Sequence, residues 1–352
     1  MSEYVEPIMV TYLHNKGVEQ GIPISGTFEL TQRCNFNCKM CYVHDCKVKK
    51  DALSADDWIN LAEQAKNMGT VFLLLTGGEP LIRDDFDEIY LKLSQMGFII
   101  SINTNSSLID KHIEFFKKYP PNRINTSIYG DSEETYESLC EVRRFHKVID
   151  NIKLLKENDI EVRVNMVMTP QNMKSCKGII DIARSLGLHI KSTAYSFPQI
   201  RLDDAFNVRF TPEETARNTM FLDRCRTTEE SFKNRIEIIK KLPEGHHSDK
   251  VRCRGGRASF WITADGIMRP CGMMPEPNAY PLRDGFKKAW KDTLKSTKDI
   301  RLPKECMNCK YAGICMVCAA MCKAETGEFN KRPDYICKMT KELYELSLRE
   351  NV

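Results

Sequence analysis

The sequence has 352 residues, enough for one large domain or two domains of ordinary size. Hydrophobic residues make up 42% of the chain and charged residues 28%, a balance that is typical of a globular protein and excludes a disordered one. The formal net charge is only +4, from 52 basic and 48 acidic side chains, so the chain lacks the basic surplus of a nucleic-acid-binding protein.

The N-terminal segment does not resemble a secretory signal, because Met1–Glu6 includes acidic residues and no long apolar stretch follows. The longest notable apolar run, Val71–Leu75, is far too short to cross a bilayer. We therefore expect a cytoplasmic protein without a membrane partner. Residues 1–24 are predicted to form a helical extension that packs on the next domain through its apolar side chains: Tyr4, Ile8, Met9, Tyr12 and Leu13.

Between residues 25 and 200, short β-rich runs alternate with segments in which apolar residues have helical spacing. The strands are predicted at Gly26–Thr31, Val71–Thr76, Phe98–Asn103, Arg123–Ile128, Glu161–Met168 and Leu188–Tyr195. Ser54 is a predicted helix N-cap with Asp57 three residues later, and Gly97 and Gly187 stand where helices should end. Six alternating units require a parallel sheet with right-handed crossovers but are too few for an eight-stranded barrel. We therefore expect an α/β fold, a partial (βα)6 barrel of the TIM type.

The unusual residues follow the predicted strand ends. They are Cys34–Cys41, Gly77–Pro80, Thr104–Asn105, Ser127–Gly130, Thr169–Asn172 and Ser196–Gln199. In parallel α/β folds the chemistry gathers at the carboxyl ends of the strands. The sequence therefore predicts one active-site face.

After residue 200 the pattern becomes helical, with a helix start at Phe210–Glu214 and a second helix at Phe232–Leu242. His246 and His247 could be metal ligands, but no third spaced ligand accompanies them, which favours a polar linker. We expect a helical bridging segment over residues 201–250 and a small cysteine-rich domain over residues 251–352.

Fifteen cysteines are unusual for a cytoplasmic chain, where thiols stay reduced, and their clustering indicates metal. The first group, Cys34, Cys38 and Cys41, has the spacing C-x3-C-x2-C. Three thiolates on one loop can hold three irons of a 4Fe–4S cluster and leave the fourth iron open. A zinc knuckle or three unrelated cysteines would explain this triplet alone, but neither explains the segment Gly77–Pro80.

Together, the cysteine triplet and the segment Gly77-Gly78-Glu79-Pro80 resemble the radical S-adenosylmethionine superfamily. That family carries C-x3-C-x2-C after its first barrel strand and Gly-Gly-Glu-Pro after its second. The resemblance implies that the fourth iron binds the amino and carboxylate groups of S-adenosylmethionine. It also implies reductive cleavage of a C–S bond to methionine and a 5′-deoxyadenosyl radical, which takes hydrogen from the substrate.

The same resemblance implies roles for residues around the cofactor. Gly77 and Gly78 would present backbone carbonyls to the cofactor's ammonium group, and Glu79 would lock the turn before Pro80. Further candidates for contact with the cofactor are Asn105, Ser127, Tyr42 and, on the fifth strand, Asn165. Related enzymes often carry Ser-Leu-Asp-Gly at the fourth strand end, whereas this chain has Ser127-Ile128-Tyr129-Gly130, which removes an acidic group from the cavity.

The second group of cysteines is similar to the SPASM extension of radical enzymes. Its members are Cys253, Cys271, Cys306, Cys309, Cys315, Cys318, Cys322 and Cys337. The pattern C-x(9–15)-G-x4-C, C-x2-C-x5-C-x3-C and a final cysteine fits, except that Cys318 falls one residue early and Cys322 is additional.

Eight cysteines are two sets of four, the number that two closed 4Fe–4S clusters require. By resemblance, one set is Cys306, Cys309, Cys315 and Cys337. The other is Cys253 and Cys271 with Cys318 and Cys322, of which one can be a bystander. Zinc sites are the alternative, although zinc ribbons have longer gaps between their knuckles than the five residues between Cys309 and Cys315. We assign no role to Cys46, Cys140, Cys176 and Cys225.

The SPASM resemblance implies a radical oxidoreductase that modifies a peptide or protein, a low-potential flavodoxin or ferredoxin as electron donor, and a monomeric state. Formylglycine formation is disfavoured, because Gly272 follows Cys271 where such enzymes carry an aspartate. The 24 residues before the barrel are too few for a leader-binding domain, which weakens a precursor-peptide substrate. Two alternatives stay open: oxidation or decarboxylation of a tetrapyrrole, and a non-catalytic electron-transfer protein.

Overall fold

The computed structural model describes residues 6–43, 48–198, 208–242 and 248–350. The strands are β1 (Ser25–Glu29), β2 (Phe72–Thr76), β3 (Ile99–Thr104), β4 (Arg123–Ser127), β5 (Val162–Val167), β6 (His189–Thr193), β7 (Ser259–Ile262) and β8 (Met268–Arg269). The helices are α1 (Ile8–Gln20), α2 (Ala55–Asn67), α3 (Phe86–Gln95), α4 (Ile109–Lys118), α5 (Glu133–Cys140), α6 (Phe145–Glu157), α7 (Cys176–Ser185), α8 (Pro212–Arg226), α9 (Glu229–Lys240), α10 (Pro281–Asp284), α11 (Phe286–Asp299), α12 (Ala319–Thr326) and α13 (Asp334–Arg349).

The strands form one sheet in the order β6-β5-β4-β3-β2-β1-β7-β8. Neighbouring strands from β6 through β7 are parallel, and β8 pairs antiparallel with β7. This confirms the predicted parallel α/β architecture and its six strands. Ser25 of β1 pairs with Phe72 of β2 on one side and with Ser259 of β7 on the other. The sheet therefore includes two strands from the cysteine-rich C-terminal part of the chain.

The two faces of the sheet differ because side chains alternate along each strand. One face is apolar and packs against helices in a single core, as when Phe28 of β1 meets Trp58 of α2 at a ring distance of 5.0 Å. We define the inner face as the opposite set: Thr27, Glu29, Leu74, Asn103, Asn125, Ser127, Asn165 and Trp261. On it, Asn125 Nδ2 donates to Asn103 Oδ1 at 2.8 Å.

Local signals for helix ends are confirmed. Ser54 and Asp57 form a capping box at the start of α2. Gly97 and Gly187, with φ of 87° and 65°, follow α3 and α7. Thr211 likewise caps α8 together with Glu214, at the predicted helix start. The next helix, predicted to begin at Phe232, begins three residues earlier as α9, because Thr228 caps it by accepting from Ser231 N–H.

The N-terminal helix is confirmed as α1, but its predicted packing face is wrong. Ile8, Met9 and Tyr12 are 88%, 65% and 54% exposed. The helix instead packs through His14, 3.2 Å from Ser25 Oγ, and Gly17, where an added Cβ would lie only 2.4 Å from Ile24. A small residue therefore sets the contact, in place of the large apolar ones. Four predicted features lie outside the described residues: Tyr4, Cys46, the end of Ser196–Gln199, and the pair His246 and His247.

Phe260 of β7 anchors the C-terminal strands to the sheet. Its ring lies over Gly26 of β1, where an added Cβ would be 2.2 Å from the ring. It also meets Phe286 of α11 at 5.0 Å, edge to face, and is itself buried. This one side chain therefore joins β1, β7 and α11.

We predict that Phe260→Ala lowers the free energy of unfolding by about 3–5 kcal/mol, because it leaves a cavity among three elements. Urea unfolding followed by circular dichroism measures the loss. Phe221→Ala is the matched control, since Phe221 is 40% exposed and its truncation should cost under about 1 kcal/mol. Equal losses in the two variants would contradict the anchoring role.

Candidate active site

The loop that carries Cys34, Cys38 and Cys41 follows β1 and rests on the end of α5. Asn37 N–H donates to the Cys140 carbonyl at 3.2 Å, and Lys39 N–H donates to the Leu139 carbonyl at 3.0 Å. The start of the loop is held from the other side, because Arg33 Nη2 bonds Asp51 Oδ2 at 2.6 Å. The cysteine loop is therefore held at its start and around Cys38.

The three thiols lie within electrostatic reach of one another. Burial raises the pKa of the Cys34 thiol above its usual range, and the charges of Glu79, Cys38 and Cys41 act in the same direction. The Cys34 thiol is therefore protonated in the metal-free chain, and iron must displace that proton to bind. This set fits the three protein-bound irons of a 4Fe–4S cluster.

In the part of the chain that the structure describes, no three His, Cys, Asp or Glu side chains are grouped to hold a single metal ion. A 4Fe–4S cluster binds each thiolate through a different iron, so its ligands do not have to converge on one point.

The Gly77–Pro80 turn lies directly against the cysteine loop. Gly78 N–H donates to the Thr31 carbonyl at 2.8 Å, and Glu79 N–H donates to the Arg33 carbonyl at 2.9 Å. An added Cβ would lie 2.5 Å from the Thr31 carbonyl oxygen at Gly77, where φ is 153°, and 2.3 Å from the Arg33 carbonyl oxygen at Gly78. The loop backbone alone therefore requires both glycines, a reason that the sequence analysis did not find.

Glu79 is fully buried and joins the ends of β2 and β3. Its carboxylate accepts from Asn105 N–H at 2.7 Å, Thr104 Oγ1 at 2.8 Å and Leu81 N–H at 3.0 Å. Burial raises the pKa of Glu79 to about 7 in spite of these bonds. Pro80 follows as the first residue of a short 3-10 helix.

The other predicted cofactor contacts fall at two places. Asn105 Nδ2 donates to Asn35 Oδ1 at 2.8 Å and lies 3.9 Å from Cys34 Sγ, so Asn105 belongs to the cysteine loop's surroundings. Ser127 and Asn165 are paired in register on the inner face of β4 and β5. Tyr42 is half-buried directly after Cys41.

A cavity of about 430 Å³ opens beside the loop. Its walls include Arg33, Cys34, Asn37, Lys49 and Val142. Cys34 is thus reachable from this cavity.

The C-terminal cysteines separate into two neighbourhoods. Burial raises the pKa of Cys306 to about 11, with further contributions from the charges of Cys337, Cys315 and Cys309. These four thiols are therefore within electrostatic range of one another.

Cys318 and Cys322 differ in the thiols whose charges affect them. Burial raises the pKa of Cys318, and the Cys253 charge adds to it, so these two thiols are within electrostatic range of each other. Cys322 is fully buried, and burial raises its pKa to about 12, with further contributions from the charges of Cys306, Cys318, Cys315 and Cys337. Three of these four thiols belong to the first set.

Comparison with known proteins agrees with this geometry. The family model of the Radical SAM superfamily matches residues 28–183. The chain contains a radical SAM domain. The matched residues run from the last two residues of β1 into α7 and include the cysteine loop and the Gly77–Pro80 turn.

Two relatives match most of the chain. The AdoMet-dependent heme synthase of Methanosarcina barkeri is 24% identical over 331 residues, which are 88% of this chain and 94% of that protein. The sporulation killing factor maturation protein SkfB of Bacillus subtilis is also 24% identical, over 88% of this chain and 74% of that protein. The solved structure of Streptococcus suis SuiB bound to S-adenosylmethionine has a TM-score of 0.68 at 17% identity, over 96% of this chain and 82% of that chain, which shows a shared fold. Among the described residues, no helix is long and apolar enough to span a membrane.

One contact links the radical SAM domain to the C-terminal cysteines. Trp261 Nε1 of β7 donates to Glu29 Oε1 at the end of β1, at 2.7 Å, and Glu29 is fully buried. The indole also covers Gly272, where an added Cβ would lie 2.8 Å from the ring. Gly272 follows Cys271, so this tryptophan of the inner face lies against the residue next to a predicted cluster ligand. No local pattern in the sequence signals this contact, whose partners are 232 residues apart.

Glu79 should make stability depend on pH in the metal-free protein. Its pKa of about 7 lies above the ordinary 4.5, so the folded state keeps a proton that the unfolded state loses between these values. The free energy of unfolding should therefore fall by about 3 kcal/mol as pH rises from about 4.5 to about 7, and that contribution is constant above pH 7.

Urea unfolding of the metal-free chain across this pH range tests the prediction. Glu79→Gln should remove that part of the slope, and the exposed control Glu114→Gln should keep it. The comparison uses the slope of stability against pH and not the absolute stability. The substitution itself costs stability, because the Gln amide cannot accept from both Asn105 and Leu81 as the carboxylate does. An unchanged slope in Glu79→Gln would show that this carboxyl titrates normally.

Proposed function

We propose that the chain is a radical S-adenosylmethionine enzyme that oxidatively modifies a peptide or protein, with its cofactor cluster on Cys34, Cys38 and Cys41. The observation that carries this proposal is the pair of hydrogen bonds from Gly78 and Glu79 to the cysteine loop. They support a turn whose backbone faces the same space as the three thiols. When bound, the cluster supplies the electron that splits S-adenosylmethionine into methionine and a 5′-deoxyadenosyl radical.

The chain's own residues prepare that space. The carbonyls of Gly77 and Gly78 are the proposed acceptors for the ammonium group of the cofactor, and buried Glu79 holds them in place through β3. Asn105, bonded to Asn35 of the cysteine loop, is the proposed contact to the ribose or carboxylate. Ser127 on the inner face extends this polar surface from the cofactor toward the substrate.

For the C-terminal part, we propose one auxiliary cluster on Cys306, Cys309, Cys315 and Cys337. Cys253, Cys271 and Cys318 are the proposed ligands of another. The charges that raise the pKa of Cys306 and of Cys318 come from different cysteines, which supports this division. Cys322, which is fully buried, is then the bystander that the sequence allowed, and the second set has three cysteines.

The polar inner face of the sheet supports a peptide substrate over a tetrapyrrole, which is a flat macrocycle. Asn103, Asn125, Ser127 and Asn165 give it hydrogen-bonding groups, whereas an apolar ligand selects a mostly apolar pocket. The relative SkfB is named a maturation protein, and SuiB has also been solved with its precursor peptide SuiA. A tetrapyrrole is the second candidate, because the heme synthase matches 88% of this chain. Either reaction needs a low-potential electron donor, for which a flavodoxin or ferredoxin is proposed.

Anaerobic reconstitution with iron and sulfide tests the cofactor proposal. We expect about 12 irons per chain for three cubane clusters, and 5′-deoxyadenosine after reduction with dithionite in the presence of S-adenosylmethionine. Replacing Cys34, Cys38 and Cys41 together by alanine should remove about a third of the iron and all 5′-deoxyadenosine.

Cys225→Ala is the matched control, because Cys225 belongs to no proposed set, and it should keep both signals. Iron uptake without any 5′-deoxyadenosine would favour the electron-transfer alternative. Tight zinc in place of iron at the C-terminal cysteines would refute the auxiliary clusters.

Cys318 and Cys322 should behave differently when each is replaced by serine. Cys318→Ser should lower the iron content by up to about 4 per chain, since it removes a proposed ligand. Cys322→Ser should keep the iron and lower the stability of the protein, because it places a hydroxyl in a buried apolar site. Iron analysis and Mössbauer spectra of the two variants measure this, and the opposite pattern would assign the ligand role to Cys322.

A further inference from the structure

Cys140, which has no place in the proposed clusters, lies beneath a ligand of the cofactor cluster. It is the last residue of α5 and is fully buried. The residues on either side of Cys38 are both bonded to this helix end: Asn37 N–H to the Cys140 carbonyl at 3.2 Å and Lys39 N–H to the Leu139 carbonyl at 3.0 Å. The backbone of Cys38 is therefore held alongside that of Cys140.

Side chains strengthen this attachment. Phe36 meets Tyr136 of α5 edge to face at 6.0 Å. Asn37 Nδ2 donates to the Glu141 carboxylate, and Lys39 Nζ donates to the Ser138 carbonyl at 2.8 Å. The segment around Cys38 thus has one fixed position on the helix.

The two cysteine side chains belong to the same packed region of the protein. Cys38 packs against the core to which Cys140 belongs. The backbone bonds on either side of Cys38 hold it next to the buried Cys140. Thiols that are so placed, and held by their backbones, can join without moving an element of the fold.

We propose that Cys38 and Cys140 form a reversible disulfide when the metal-free protein meets peroxide, so that Cys140 protects a cluster ligand. Peroxide oxidises the Cys38 thiol to a sulfenic acid and releases one water. The Cys140 thiol then attacks that sulfur, which forms the S–S bond and releases a second water. In total, two thiols lose two electrons and two protons to one peroxide, and a thiol reductant restores both.

The consequence for activity rests on the proposed function, whereas the disulfide itself does not. While the bond exists, Cys38 cannot bind iron. Without Cys140, a sulfenic acid on Cys38 proceeds to the sulfinic acid, which thiol reductants do not repair. With Cys140 present, oxidation of Cys38 therefore blocks the cluster site only until a thiol reductant acts. Without Cys140, the loss of the site is permanent.

The test treats the metal-free full chain with equimolar hydrogen peroxide, blocks the remaining thiols by alkylation, and maps peptides by mass spectrometry. Trypsin separates residues 34–39 from residues 124–143, so the disulfide gives a cross-linked pair of known mass that dithiothreitol splits. Fragmentation assigns the bond to Cys38 or to Cys34, which share a peptide. We expect the bond at Cys38.

Cys140→Ser is the test variant, and Cys176→Ser is the matched control because Cys176 is also fully buried at a helix. After peroxide and then reductant, the control should regain wild-type iron binding, whereas Cys140→Ser should show several-fold more sulfinic acid at Cys38 and less iron. The disulfide is mapped in the wild-type protein, so this measurement tests the proposal even if Cys140→Ser does not fold.

Absence of the 38–140 bond, a bond within the triplet in its place, or equal recovery in both variants would overturn the proposal. Its failure is separate from that of the proposed function. The disulfide can form in a protein that never cleaves S-adenosylmethionine, and the cleavage can occur in one that forms no disulfide.

Discussion

Two backbone hydrogen bonds, from Gly78 to Thr31 and from Glu79 to Arg33, join the turn after β2 to the cysteine loop after β1. They need glycine at positions 77 and 78, since a Cβ at either would lie within 2.5 Å of a loop carbonyl oxygen. Buried Glu79 then carries the connection on to β3. Three strand ends are thereby fixed relative to one another, and the thiols, the glycine carbonyls and Asn105 take their positions from this arrangement.

A second constraint comes from the opposite edge of β1. Because β7 pairs there in parallel, the C-terminal cysteines continue from the same sheet that carries the cysteine loop. Trp261 fills the junction between Glu29 and Gly272, which excludes a side chain after Cys271. A carboxylate at position 272, of the kind that formylglycine-forming enzymes carry, would not fit beside this indole. The missing aspartate therefore follows from packing around the tryptophan.

Sequence patterns predicted the features that depend on neighbouring residues. The six parallel strands, the Ser54 capping box and the helix ends at Gly97 and Gly187 all follow from short-range signals. The packing face of α1 was wrong because a small residue, Gly17, sets the contact in place of the larger apolar ones. The contacts of Trp261 with Glu29 and of Cys38 with Cys140 had no local signal, since each joins segments that only the folded sheet brings together.

Burial of the thiols bears on which ions the chain can bind. In the metal-free protein, burial keeps Cys34, Cys315 and Cys318 protonated, and exposure to water at these sites is too limited to stabilise a free thiolate. An ion that replaces those protons must bind sulfur strongly enough to offset their loss. Hard cations such as Mg²⁺ prefer oxygen and cannot do so, whereas iron and zinc can. Burial thus restricts the sites to thiophilic metals, and binding of the metal becomes part of the stability of both cysteine regions.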